Sequence, residues 1–114
     1  MFVMDKDLAE RKYKYNYENT SRKVVYQNIE YTIYDNMNTN GLSCEFEYMN
    51  NYYFADLSYV DDRHTYECMI FKTDKNGHVT DWHELYCKLD VNFNEQGLVS
   101  CIHEFKLAVK NNER

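Results

Sequence analysis

Tyr66–Leu89, YECMIFKTDKNGHVTDWHELYCKL, decides how the rest of this chain is read. Tyr66, Cys68 and Ile70 alternate with Met69 and Phe71, and both sets are apolar. That pattern predicts a strand covered on both faces. Asp74-Lys75-Asn76-Gly77 follows and reads as a type I′ turn. Val79 and Trp82 then pack back, and Leu85, Cys87 and Leu89 alternate again, which predicts a further strand over Glu84–Leu89. The stretch therefore reads as the middle of a sheet.

The segments before it are also strand-like. Val24–Tyr34 is β-branched and aromatic throughout and is read as two short strands around Gln27-Asn28, although Val25, Ile29 and Ile33 also fit a helical spacing. Asp35–Gly41 is a turn region. In Leu42–Met49, Cys44, Phe46 and Tyr48 alternate with Glu45 and Glu47, as in a half-buried antiparallel strand. Asn50-Asn51 is the expected hairpin turn, since Asn accepts the left-handed region. Tyr52–Tyr59 returns with Tyr53, Ala55, Leu57 and Tyr59 on one side, and Asp61-Asp62-Arg63 turns the chain again.

After Tyr66–Leu89 the period changes. Asn94 is placed to cap a helix, and Leu98, Ile102, Phe105 and Val109 recur at helical spacing, with Cys101 and Ala108 beside them. Lys106 and Lys110 stand toward its end, where the helix dipole favours cations. Residues 5–15, DKDLAERKYKY, form helix-favouring sequence with a thin apolar face. The expected architecture is a single α+β domain over 1–114. It is an antiparallel sheet of about four to six strands, with a C-terminal amphipathic helix on one face and a short N-terminal helix.

At 114 residues the chain buries well over half of its unfolded surface and needs no disulfide or metal to fold. Its net charge of −6 is concentrated. Residues 31–71 carry seven acidic side chains against Arg63 alone, whereas the segments on either side are close to neutral. An acidic band of that kind speaks against direct nucleic-acid binding, which requires neutralised phosphates. It suits docking on a basic surface, and it also suits an ordinary solvated sheet face. Twelve Tyr serve either as amphipathic filler on a sheet or as interface anchors. With no Pro and three Gly, the turns are left to Asn and Asp.

Met1-Phe2-Val3-Met4 meets Asp5 at once, and no apolar run reaches membrane-spanning length, so a cytoplasmic location and no membrane association are expected. Cys44, Cys68, Cys87 and Cys101 are widely spaced and read as reduced, mostly buried thiols. His78, His83 and Cys87 are zinc-ligand types without a standard zinc spacing, so no metal or other cofactor is expected. Asp81, His83 and Glu84 beside Trp82 have the residue types for acid–base work but no mechanism-bearing spacing. No catalytic residue is assigned.

The surface with the best claim to function combines Glu45, Glu47, Asp56, Asp61, Asp62 and Glu67 with Tyr52, Tyr53 and Tyr59. Carboxylates at regular strand spacing imitate a row of phosphates, and Tyr supplies anchors. Glu67-Cys68-Met69-Ile70-Phe71 and Gly77-His78-Val79-Thr80-Asp81-Trp82-His83-Glu84-Leu85, followed by a short loop and a helix, resemble a pattern in small acidic proteins of Gram-positive phages and prophages. The resemblance implies a mobile-element origin. It also implies an inhibitor of host defence, of anti-CRISPR or anti-restriction type, with a basic-surfaced host protein as partner. A homodimer and a nucleotide-binding pocket remain open alternatives.

Overall fold

The computed structural model describes residues 21–36 and 41–112. The helix expected over 5–15 lies outside the described residues. Among the described residues six strands form one antiparallel sheet in sequence order. They are β1 (Ser21–Tyr26), β2 (Ile29–Asn36), β3 (Gly41–Tyr48), β4 (Asn51–Val60), β5 (Thr65–Thr73) and β6 (Tyr86–Leu89), followed by one helix, α1 (Glu95–Asn112).

The hairpin turns follow from residues that accept positive φ. Gln27 and Asn28 take φ of 53° and 64° between β1 and β2, so the two-strand reading of Val24–Tyr34 holds. Between β3 and β4 the turn is Met49-Asn50, at φ of 51° and 66°, one residue earlier than Asn50-Asn51. Asn51 belongs to the strand opposite Tyr48, and its side-chain amide donates to the Met49 carbonyl at 3.2 Å. Asp61–Arg63 forms a single 3-10 turn closed by His64 in the left-handed region.

The turn after β5 is not type I′. Gly77 alone takes positive φ, at 86°. The Asp74 carboxylate accepts the Asn76 and His78 amides at 2.9 and 3.0 Å, and that local bonding fixes a different turn. Residues 78–85 run beside β5 as a loop, with the Thr80 and Leu85 amides donating to the Lys72 and Ile70 carbonyls. The strand expected over Glu84–Leu89 begins at Tyr86.

Cross-strand register sorts the side chains into two faces. Ile33, Cys44, Ala55, Ile70 and Tyr86 are successive partners across the sheet and point to the helix side. Leu98, Val99 and Ile102 of α1 are fully buried there, against Ile33, Leu57 and Ile70 in the same core. Phe105 meets Tyr53 edge-on at 4.9 Å and Phe46 at 6.1 Å. Asn94 caps α1 as expected, its side-chain oxygen accepting the Gly97 amide at 2.7 Å. Gly97 has no room for a side chain, since a Cβ would sit 2.1 Å from the Asn92 carbonyl oxygen.

Lys106 departs from the sequence reading. It is 7% exposed, not solvated at the helix end. Val99 and Ile102 stand seven and four residues before it, so it lies on the buried stripe of α1.

Candidate functional site

The face of the sheet turned away from α1 carries the acidic residues that the strand alternation puts there. Glu45 and Glu47 of β3, Tyr52 and Asp56 of β4 and Glu67 of β5 all point to it, with Glu47 directly opposite Tyr52. Asp61 and Asp62 are exposed in the 3-10 turn at the end of β4. Two of the expected residues point the other way. Tyr53 is 5% exposed in the core, and Tyr59 stacks edge-on against Tyr66, which in turn stacks on Phe93.

The face is not bare. The loop after β5 folds over part of it: a Cβ at Gly77 would meet the Glu45 carboxylate at 2.9 Å, and Trp82 packs edge-on against Phe71. Asp56 is sunk into the face. Its Oδ2 accepts the Ser58 hydroxyl at 3.1 Å, while its Oδ1 has no hydrogen-bond partner among the described residues. Burial, and secondarily the nearby Glu67 charge, push its carboxyl up to about 6, against the pull of the Ser58 bond. Ser43, its cross-strand partner, is also fully buried, with an unpartnered hydroxyl.

Beside this face the sheet comes apart. β2 pairs with β3 only over Ile33–Asn36, next to their connection. Ile29–Thr32 pair with β1 alone, and Glu45–Tyr48 pair with β4 alone. A cleft of about 420 Å³ opens between these two stretches, in the usual range for ligand sites. Lys106 lines it from the helix side. Its ammonium donates to the Tyr31 hydroxyl at 2.6 Å and lies 4.8 to 5.6 Å from the ring centres of Tyr31, Tyr48 and Phe46. Among the described residues no carboxylate pairs with it. Burial holds the Lys106 amine below the ordinary lysine value and pushes the Tyr31 phenol up to about 12. The rest of the lining includes Glu30, Glu45, Glu47 and Asp74 with Lys75, and of these Glu30 is paired with Lys23 and Asp74 with His78, each at 3.5 Å.

The thiols form a separate group. Cys68 and Cys101 are buried across the helix–sheet interface, and their interaction raises the Cys68 thiol and lowers that of Cys101. Tyr86 and Lys88 donate to the Glu104 carboxylate at 2.9 and 2.7 Å beside them. Cys101 is only 2% exposed, so no substrate reaches its sulfur. Cys87 is exposed, which departs from the buried reading of this residue. Among the described residues no group of three His, Cys, Asp or Glu side chains could hold a metal ion. His103 packs against Tyr26, and His78 pairs with Asp74 at 3.5 Å. No described helix is long and apolar enough to cross a membrane.

Alternation in β3 and β4 located the acidic face. The cleft had no comparable sequence signal, apart from the position of Lys106 on the buried stripe. Compared with protein-family models, with curated proteins and with solved structures, the chain matches none.

Proposed function

We propose that this chain is a binding module that takes a basic partner surface on the face of its sheet turned away from α1. Glu45, Glu47, Asp61, Asp62 and Glu67 supply the charge, and Tyr52 supplies an aromatic anchor. The observation that carries this reading is the register: strand alternation brings Glu45, Glu47, Tyr52 and Glu67 to one side, away from the helix. A row of carboxylates on a pleated surface competes for the Lys and Arg that would otherwise hold phosphates. The resemblance to small phage proteins directs the partner class to a host nucleic-acid-handling defence complex, with inhibition as the outcome. The proposal assigns no catalytic step.

Capture from host lysate tests it, comparing the native chain with the Glu47→Lys/Asp61→Lys/Asp62→Lys variant at low and high salt. Partner recovery falls at least tenfold in the variant and falls with salt in the native chain. Recovery indifferent to both changes defeats the electrostatic reading.

The cleft supports a second reading, a small-ligand binder. Its four carboxylates repel nucleotide phosphates and favour a cationic ligand. A thermal-shift screen of nucleotides against amines separates the two classes, since ligands that bind only the folded chain raise its melting temperature.

A further inference from the structure

Lys106 stands apart from the other described lysines. Lys23, Lys72, Lys75, Lys88 and Lys110 are exposed, and water keeps their ammonium groups charged. Lys106 is 7% exposed, because the buried stripe of α1 carries it to the cleft between β2 and β3, which it lines. Of its three N–H donors one goes to the Tyr31 hydroxyl at 2.6 Å, and among the described residues nothing accepts the other two. The rings of Tyr31, Phe46 and Tyr48 stand around the nitrogen at 4.8 to 5.6 Å. Burial holds the amine below the ordinary lysine value, so its uncharged, nucleophilic form is reached more readily than in the exposed lysines. The phenol beside it keeps its proton, since burial pushes Tyr31 up to about 12. A desolvated amine next to a protonated hydroxyl supplies a nucleophile and a proton donor, the two parts that addition to a carbonyl group needs.

The surroundings narrow the ligand. At the Lys106 end a cation is repelled, and an anion must enter past the exposed Glu47, which lines the same cleft. Tyr31, Phe46 and Tyr53 line it with aromatic rings, which suit a flat unsaturated molecule. An uncharged aromatic aldehyde meets these conditions, and a cleft of about 420 Å³ has room for one.

We infer that Lys106 is a covalent ligand site that takes an uncharged aromatic aldehyde as an imine. The amine lone pair adds to the carbonyl carbon and the C=O π pair moves to oxygen. The Tyr31 hydroxyl protonates that oxygen, and the nitrogen returns a proton to Tyr31. The carbinolamine then breaks its C–O bond as C=N forms, and the leaving hydroxyl departs as water with the second nitrogen proton. One amine and one aldehyde thus give one imine and one water. The site lies apart from Asp61 and Asp62 and does not depend on the docking of a basic surface.

The full chain is incubated with benzaldehyde and sodium cyanoborohydride, which reduces the imine to a stable secondary amine, and the labelled lysines are located by peptide mass spectrometry. Lys106 is expected to label first, about tenfold faster than the other lysines, and to lose that lead in the urea-unfolded chain. That comparison needs no variant. Tyr31→Phe keeps the ring, removes the hydroxyl and slows Lys106 roughly tenfold or more, with the exposed lysines unchanged. Lys106→Met leaves only the slow background. Charge reversal at Asp61 and Asp62, which tests the docking face, leaves Lys106 labelling as it was. Label spread evenly over the lysines, Lys106 labelled last, or Lys106 reacting as fast in Tyr31→Phe as in the native chain overturns the inference.

Discussion

β3 is flanked by two strands that treat it differently. β4 pairs with it from Leu42 to Tyr48, whereas β2 pairs with it only from Gly41 to Cys44. On the β4 side the backbone groups are spent on the ladder, and the inward side chains Leu42, Cys44, Ala55 and Leu57 are almost fully buried. On the β2 side the ladder stops after Ile33 and Cys44, and an ammonium and a phenol line a cleft. A completed ladder holds the fold together, and an interrupted one opens the sheet into a cleft.

The contrast is open to measurement. The largest expected effect is at the completed ladder: Leu57→Ala, at a site with no exposure, loses about 3–4 kcal/mol by chemical denaturation. Ile29→Ala at the cleft, 45% exposed, loses roughly 0.5 kcal/mol or less. Equal losses would erase the distinction between the two sides.

Asp56 is next, as the polar exception on the completed side. Its folded carboxyl titrates at about 6, above the ordinary carboxylate value. The unfolded chain therefore releases this proton first as pH rises, and stability falls between about pH 4 and pH 6 by at most ~3 kcal/mol. Asp56→Asn flattens that fall, since the amide does not titrate and its N–H₂ can donate to the Ser43 hydroxyl. At pH 7 the variant gains about 1–2 kcal/mol, a rise of roughly 4–8 °C in melting temperature. A variant as pH-dependent as the native chain would assign the slope to other groups.

Lys106→Met is the smaller change on the interrupted side. It removes a buried ammonium that has no carboxylate partner among the described residues and keeps the hydrophobic volume, so it gains about 1 kcal/mol near neutral pH. The native amine titrates below the unfolded value, so native stability rises as pH climbs through the folded pKa toward the ordinary lysine value. The methionine variant lacks that rise. A loss of stability in Lys106→Met would make the lysine a structural brace and not a binding group.

The smallest effect is in hydrogen exchange. Amides of Ile29–Thr32 that point away from β1 exchange faster than amides of Ile33–Asn36 paired with β3. Equal protection would mean that the ladder continues past Ile33.

Much of this was legible in the residues. Alternation in β3, β4 and β5 set the two faces, and the change of period after Asn94 marked the helix. Gln27-Asn28 separated two strands because both residues took positive φ. Asn50-Asn51 misplaced a turn by one position, because Asn is equally suited to a turn or to a strand end that bonds back to it. The interruption between β2 and β3 left no trace, since the alternation of Ile29, Tyr31 and Ile33 runs through it unchanged. Lys106 was read only for its charge toward the helix end, whereas its i−4 and i−7 neighbours place it on the apolar stripe. Asp56 was recognised as lying on the polar face, but its burial depends on neighbours brought together only by folding.

Strands that follow one another in the sheet as they do in the chain have a consequence for synthesis. Each can dock on its predecessor soon after leaving the ribosome, because almost every pairing is between sequence neighbours. The 18-residue helix that lids the apolar side follows all six strands in the chain. Until it emerges, a greasy surface of Leu42, Leu57 and Ile70 faces the cell, so slow decoding of the helix codons should divert the nascent chain toward chaperones.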